Sequence, residues 1–261
     1  MKPINRILID GSDLPEYREL FIQAGFAVVE NIDDAGAVAA IGGDGTILNT
    51  MDRYLGSGVP VMGVNAGHLG FLADCELSGI GDSISCLLSG DYGIENLPVL
   101  ETTSPEGTCI RALNEICICR SAEGGILHIR VNTDGREVAV MASDGVLVAT
   151  PSGSTAYNLS CGGPILHPNL PVLIITAICP HLLAIRPIVV PLSSRIEFTI
   201  LRSRGKNPLI LADGNAKCGA MKEEDTISVQ ASSLTSPVIR TGRRSDYYAM
   251  LGKKLGWGYR G

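Results

Sequence analysis

The apolar run AVAAI at 37–41 breaks into GGDGT and then into Ile47, Leu48, Met51, Tyr54 and Leu55, which recur at helical spacing up to Gly56. A buried strand that turns through glycines straight into a helix leaves the helix N-terminus at the strand's carboxyl end. That junction commits the surrounding chain to an α/β layer. The flanks repeat it: INRILI reads as a strand, LPEYRELFIQAG as a helix closed by Gly25, and FAVVE as a second strand. VPVMGV at 59–64 is a further strand and delivers a second turn, NAGHLGFLAD. Two Gly-rich turns thus stand at strand ends, where open parallel sheets take ligands.

After ENLPVLETTSPEGT the pattern changes to period two. LHIRVNT and REVAVMA alternate around Asp134-Gly135, a two-residue hairpin signal, and RIEFTILR, PLILA, TISVQ and PVIRT continue it. The last stretch, SDYYAMLGKKLGWG, returns to helix, with Ser245 as N-cap and Tyr248, Leu251 and Leu255 along one side. A lone terminal helix needs a surface. The expected fold class is α/β plus all-β: a Rossmann-like N-terminal domain at 1–98, an antiparallel β-rich domain at 99–240, and residues 241–261 packing back on the first. At 261 residues and 45% hydrophobic content, the chain is long enough for two cores.

Charge and composition exclude several classes. A formal net charge of −6 leaves no basic footprint for nucleic acid. The longest apolar stretch, VLIITAIC at 172–179, is closed by Pro180 and is far shorter than the roughly 20 residues a bilayer needs. The N-terminal apolar run ends after ILI, so no signal peptide is read and a cytoplasmic protein is expected. Eight cysteines, at 75, 86, 109, 117, 119, 161, 179 and 218, form no C-x-x-C. The four histidines, at 68, 128, 167 and 181, form no metal-ligand cluster. Free buried thiols are expected, and transition-metal catalysis is not.

In GGDGT, glycines 42, 43 and 45 are expected to take positive φ and to let phosphate reach the N–H groups ahead of the helix, with Thr46 completing the turn. Asp44 is the anomaly, because a carboxylate repels phosphate. It becomes useful if it bridges through a divalent cation, or if it accepts a proton from a hydroxyl attacking that phosphate. Both uses point to phosphoryl transfer. A Walker A motif is absent, and G-x-G-x-x-G fails at Leu48.

ALNEICI sets Asn114 beside Glu115, an amide and a carboxylate suited to a vicinal diol. ASDGVLVATPSGSTAYNLSCGGPI at 142–165 carries a strand into a Pro-Ser-Gly turn. There Ser154 or Thr155 caps a short helix over STAYNLS, Tyr157 is available to stack on a ring, and Gly162-Gly163 stops the helix. G-x-S-x-G is absent, which weakens a hydrolase reading.

With GGDGT, GVNAGHLGFLAD, LNE, SDGVLVATPSGSTAYNLSCGGPI and CPHLLAIRPIVV in order, the chain closely resembles bacterial NAD kinases over about 37–215. GGDG alone is shared with diacylglycerol kinases, sphingosine kinases and phosphofructokinases. PSGSTAYNLSCGGPI selects the branch. The resemblance implies phosphoryl transfer from ATP, or in some members polyphosphate, to the 2′-hydroxyl of the adenosine ribose of NAD, giving NADP. It makes Asp44 the catalytic base, with a divalent cation such as Mg2+ as cofactor. It makes Asp44, Gly45, Asn114, Glu115, Asp144, Thr155, Ala156, Tyr157, Asn158, Leu159, Ser160 and Asn215 the dinucleotide contacts, and implies a homodimer or homotetramer.

Departures from the family pattern are also visible. Asn215 stands where the family has Gln, Gly124-Gly125 where some members carry a basic or imidazole side chain, and Ala142 where others carry Arg. Arg53, Arg120 and Arg186 are candidates to supply the missing positive charge. Two competing readings keep parts of the motif set: a lipid or sugar acceptor, and a non-catalytic dinucleotide sensor. STAYNLSCGGPI argues against the first and Asp44 against the second.

Overall fold

The computed structural model describes residues 1–11, 15–67, 70–214, 219–242 and 247–256. The described chain divides into two compact units, Met1–Leu97 with Thr235–Gly261, and Pro98–Leu234.

The first unit runs β1 (Arg6–Gly11), α1 (Pro15–Gln23), β2 (Ala27–Val29), β3 (Ala37–Gly42), α2 (Asp44–Arg53), β4 (Val61–Asn65), β5 (Cys75–Glu76) and α3 (Ile80–Ser89). Its strands pair in parallel, β2 beside β1, β1 beside β3, β3 beside β4, and β4 beside β5. Every residue of β3 and β4 is buried, which is why AVAAI and VPVMGV are continuously apolar rather than alternating. The core gathers Ile7, Phe21, Phe26, Ile41, Met62, Val64 and Ile84, and Phe21 meets Phe26 edge to face at 5.6 Å. Gly25 adopts φ 99° behind α1. Helix α2 ends at Arg53, three residues before Gly56, and α3 is an element the sequence reading left out. Its signal is ordinary: buried Ile80, Ile84 and Leu87, then Gly90 in the left-handed region at φ 80°.

The second unit contains β6 (Gly93–Thr103, entering from the first unit), β7 (Cys109–Ala112), β8 (Glu115–Cys119), β9 (Leu127–Thr133), β10 (Arg136–Ser143), β11 (Gly145–Ala149), α4 (Tyr157–Ser160), β12 (Val172–Ile178), β13 (Ile188–Pro191), β14 (Ile196–Arg202) and β15 (Leu209–Ala212). Strand β16 (Thr226–Arg240) closes it and runs on into the first unit, where Val238 pairs with Val61 in parallel, and α5 (Tyr247–Leu255) follows. The antiparallel pairing expected of this part is observed. One sheet reads β13-β12-β11-β8-β15, and a second carries β10-β9-β14-β16. Asp134 and Gly135 both take positive φ in the β9–β10 hairpin, at 52° and 75°. Alternate residues of the two sheets, among them Ile116, Ile118, Val131, Val148, Ile175, Phe198 and Ile227, form one shared core.

Three expectations need correction. TISVQ and PVIRT are one 15-residue strand, because the intervening ASSLTS stays extended and Ser232 donates to Glu101 Oε2 at 2.9 Å. In α5 the buried side carries Met250 and Leu251, while Tyr248 is 67% exposed. Its N-cap, expected at Ser245, lies outside the described residues. The thiols are also less uniform than expected: among the described cysteines all are free, but only Cys75, Cys86 and Cys117 are buried, while Cys109 and Cys179 are exposed.

Candidate active site

In the α/β unit, β3 delivers the chain to Gly42, and α2 begins two residues later at Asp44, with Gly43 as its cap residue at φ −85°. Positive φ is confined to Gly42, at 159°; Gly43 is extended and Gly45 is already helical, so the expectation of three left-handed glycines does not hold. Gly42 is needed for close approach. A Cβ there would lie 2.6 Å from Thr46 Cβ and Oγ1. At Gly43 and Gly45 a Cβ would meet nothing among the described residues, which leave open the space over the first turn, whose N–H groups have no intrahelical acceptor.

Asp44 is held from three directions. Phe71 N–H donates to its Oδ2 at 2.9 Å and Leu72 N–H to its Oδ1 at 3.1 Å. Lys254 of α5 donates to Oδ2 at 3.0 Å, and the same ammonium lies 4.7 Å from the centre of the Phe71 ring. A carboxylate offers about four acceptor directions. Among the described residues one therefore remains open. The clamp depends on β4, because Asp74 N–H donates to the Gly63 carbonyl at 2.8 Å and Gly63 has no side chain to hold Leu72 and Ala73 away. Gly70 is equally constrained: a Cβ there would fall 2.0 Å from Asp44 Oδ1. His68 of the same turn lies outside the described residues.

In the β-rich unit, Asp213 organises the start of β8. Its carboxylate accepts from the N–H groups of Leu113 (2.8 Å), Asn114 (2.7 Å) and Glu115 (3.2 Å). Asp213 N–H returns a bond to the Glu115 carbonyl at 3.0 Å, with Asp213 itself at φ 49°. The Pro-Ser-Gly turn docks on the same segment. Thr150 Oγ1 donates to the Leu113 carbonyl at 2.7 Å and accepts from Gly153 N–H at 3.1 Å. Gly153 lies against Asn114 so closely that a Cβ would be 2.1 Å from its carbonyl oxygen. Glu115 is 5% exposed, and among the described residues its Oε2 has no hydrogen-bond partner. Burial, and then the charge of Asp213, push its carboxyl up to about 7, against the opposing pull of the Tyr157 N–H.

The segment 152–160 departs from the expected capped helix. Residues Ser152–Thr155 form a 3-10 turn, and α4 is a single turn starting after Ala156, with no side-chain cap. Ser154 Oγ instead donates to the Pro151 carbonyl at 2.6 Å and accepts from Leu166 N–H at 3.1 Å, while Thr155 Oγ1 donates to the Ser152 carbonyl at 3.2 Å. Asn158 is fully buried. Its amide donates to the Ser154 and Pro164 carbonyls at 3.1 Å and accepts from Thr176 Oγ1 at 2.7 Å. Tyr157, at 41% exposure, and exposed Ser160 face outward; Thr155, Ala156 and Leu159 are half-buried.

Asp144 pairs with Arg120, whose Nε lies 2.7 Å from Asp144 Oδ1. Arg53 pairs with Asp10 at 2.6 Å, and Arg186 donates to the Leu183 and Ile185 carbonyls. Each of the three candidate arginines is thus already engaged. Asn215 lies outside the described residues. Sequence reading missed Lys254, the Phe71 and Leu72 N–H groups, and the clamp role of Asp213. Only Lys254 left a signal: three and four residues after buried Leu251 and Met250, it is a lysine beside the apolar stripe of a helix.

Residues 25–92 match the ATP-NAD kinase N-terminal domain and residues 113–241 the ATP-NAD kinase C-terminal domain. The chain belongs to the NAD kinase family. It is 38% identical over 221 residues to an NAD kinase of an Acidovorax species, covering 83% of this chain and 73% of that one. It is 34% identical over 227 residues to the NAD kinase of Syntrophotalea carbinolica, covering 85% and 79%. Among solved structures, yeast NADH kinase complexed with NADH superposes with a TM-score of 0.85 at 22% identity, covering 99% of this chain and 89% of that one. An NAD kinase from Archaeoglobus fulgidus in complex with ATP gives 0.77 at 23%, covering 96% and 97%. These NAD kinase folds share the N-terminal α/β and C-terminal β-rich architecture described above.

Proposed function

We propose that this chain transfers the terminal phosphoryl group of ATP to the 2′-hydroxyl of the adenosine ribose of NAD, giving NADP, with Asp44 as general base. NAD kinase activity follows from family membership; the residue roles are our reading. The observation that carries it is the Asp44 clamp. A carboxylate fixed by two backbone N–H groups and an ammonium, with one acceptor direction left, is oriented to take a proton from an attacking hydroxyl. Transfer of that proton to Asp44 lets the ribose oxygen form its bond to the terminal phosphorus of ATP as the bond from that phosphorus to ADP breaks and ADP leaves. Lys254, hydrogen-bonded to Asp44 Oδ2, holds the carboxylate in position for this.

In this reading Asp44 is the base, beside the open turn of Gly42, Gly43, Gly45 and Thr46, and Asp44 and Gly45 also contact the dinucleotide. The remaining dinucleotide contacts are read residue by residue. Asn114 and Glu115, rigidly placed by Asp213, address hydroxyl groups of the dinucleotide, and outward-facing Tyr157 stacks on a ring. Asp144, Thr155 and Ser160 complete the polar contacts; buried Asn158 contributes by holding their segment in shape.

Among the described residues no group of three or more His, Cys, Asp or Glu side chains could hold a metal ion. A divalent cation such as Mg2+ is the proposed cofactor, held chiefly by the substrate phosphates, whose charge it would neutralise when bound.

A homodimer or homotetramer is the proposed assembly. Edge strand β13 and the segment before it expose Leu182, Leu183, Ile188 and Val189, an apolar group suited to a second copy. A cytoplasmic location is supported by the free thiols. Among the described residues no helix is long and apolar enough to cross a membrane.

The test is an end-point assay with NAD, Mg2+ and either ATP or polyphosphate, reading NADP with an NADP-specific dehydrogenase. NADP from the wild type and not from Asp44→Asn is expected with ATP. Undiminished product from the variant would remove Asp44 from the chemistry.

A further inference from the structure

The two N–H groups that hold Asp44 belong to Phe71 and Leu72, between β4 and β5, and their segment is itself held by the end of β16. Leu72 is gripped at both of its polar ends. Its N–H donates to Asp44 Oδ1 at 3.1 Å, and its carbonyl accepts from Arg240 Nη1 at 3.3 Å. Arg240, the last residue of β16, is fixed in turn by Glu95, whose Oε2 accepts from its Nε at 2.6 Å. Two residues beyond Leu72, the Asp74 carboxylate accepts twice from Thr241, from the N–H at 3.1 Å and from the hydroxyl at 2.5 Å. A hydroxyl has one hydrogen to give. Thr241 gives its own to Asp74, so Ser83 is the donor in the 3.2 Å contact between the Ser83 and Thr241 hydroxyls.

Stability alone does not account for this arrangement. Asp74 is 1% exposed, and Ser83 and Thr241 are buried with it. Taking a carboxylate out of water costs free energy that can exceed what its hydrogen bonds return, and a packed apolar side chain would fill the space at less cost. What the carboxylate adds is direction, because each oxygen has to meet its own donor. From the other side, Asp74 N–H donates to the Gly63 carbonyl at 2.8 Å, and Cys75 of β5 pairs with Val64 of β4. Segment 71–74 is therefore tied to β4 on one side and to the end of β16 on the other, with two of its N–H groups turned to Asp44.

We propose that Asp74, Arg240 and Thr241 are positioning residues for phosphoryl transfer: they fix the backbone of 71–74 so that its N–H groups aim the Asp44 carboxylate at the attacking hydroxyl. The proposal rests on the reading of Asp44 as general base. The three residues act through the backbone around Leu72 and not on the substrate. A misplacement of about 1 Å can cost on the order of a hundredfold in rate, so loss of one tie should lower kcat by about tenfold or more.

The test is steady-state kinetics of the full chain with NAD, ATP and Mg2+. It compares wild type, Thr241→Val, Thr241→Ser and Arg240→Gln, each also combined with Asp44→Asn. Thr241→Val removes the hydroxyl at nearly constant shape, and Thr241→Ser keeps it. In Thr241→Val and Arg240→Gln, kcat is expected to fall about tenfold or more while KM for NAD stays within about threefold. Thr241→Ser is expected to recover most of the loss. Neither substitution should lower kcat further in the Asp44→Asn background, where the carboxylate that they aim is gone. A purely structural role would lower the thermal midpoint and leave kcat of the folded enzyme unchanged. The Arg240 side chain is partly exposed, so Arg240→Gln gives the same reading if Thr241→Val does not fold. Wild-type kcat in the variants beside an inactive Asp44→Asn, or an equal further loss in the Asp44→Asn background, overturns the proposal and leaves the base in place. Full activity of Asp44→Asn removes the base and the proposal together.

Discussion

Lys254 donates to Asp44 Oδ2 at 3.0 Å, across 210 positions of sequence, and so the carboxylate at the start of α2 carries a fixed cation from the terminal helix. Both side chains are about 30% exposed, so the pair contributes little to stability, up to about 1 kcal/mol. Its value is positional. Lys254→Ala should lower kcat by about tenfold or more, with Lys254→Arg recovering part of it and the melting temperature nearly unchanged. A kcat equal to wild type in Lys254→Ala would leave the lysine as a surface tie only.

Asp44→Asn keeps the shape of the side chain and removes its capacity to take a proton. Turnover should fall by roughly 10²- to 10⁴-fold while NAD affinity, read by calorimetry, changes only a few-fold. Loss of affinity in parallel with turnover would instead make Asp44 a binding residue.

Gly70→Ala separates the fold from the chemistry. The added methyl would collide with Asp44 Oδ1, the movable end of a side chain, so the backbone can stay while the carboxylate is pushed aside. The expected result is a normal unfolding curve with kcat reduced and KM for NAD little changed. Full activity would show that Asp44 has more freedom than its three partners suggest.

Glu115 makes stability depend on pH in a defined direction. Its carboxyl titrates near its ordinary value in the unfolded chain and at about 7 in the folded one, chiefly because of burial. Folding therefore favours the protonated form. The advantage is fully present below the ordinary value and is lost as pH rises through about 7, a difference on the order of 3 kcal/mol. Urea unfolding of wild type and Glu115→Gln at several pH values should show the variant gaining relative stability from pH 5 to pH 8. A gap independent of pH would contradict the assignment.

Legibility in the sequence followed the range of the interaction. The βα junction at 37–55 and the Asp134-Gly135 hairpin were readable because periodicity and turn chemistry are local. The continuity of β16 was not, since ASSLTS has the composition of a loop and is held extended by partners such as Glu101. Ser154 and Thr155 have capping chemistry, yet the tight approach of Gly153 to Asn114 turns that segment into a 3-10 turn, where their hydroxyls bond to nearby backbone. The Asp213 clamp joins residues about 100 positions apart, and no local pattern announces it. Glycines read as uniformly left-handed proved to have separate duties: Gly42 admits Thr46, whereas Gly43 and Gly45 keep the helix start bare.

The α/β unit is assembled from two stretches of chain, Met1–Leu97 and Thr235–Gly261. During translation the ribosome completes Asp44 early and Lys254 late, with the whole β-rich unit emerging between them. Until then the nascent parallel sheet lacks the β16 strand that pairs at Val61, and the carboxylate lacks its ammonium. The Asp44 clamp is therefore finished only after everything that lies between its two halves has been synthesised.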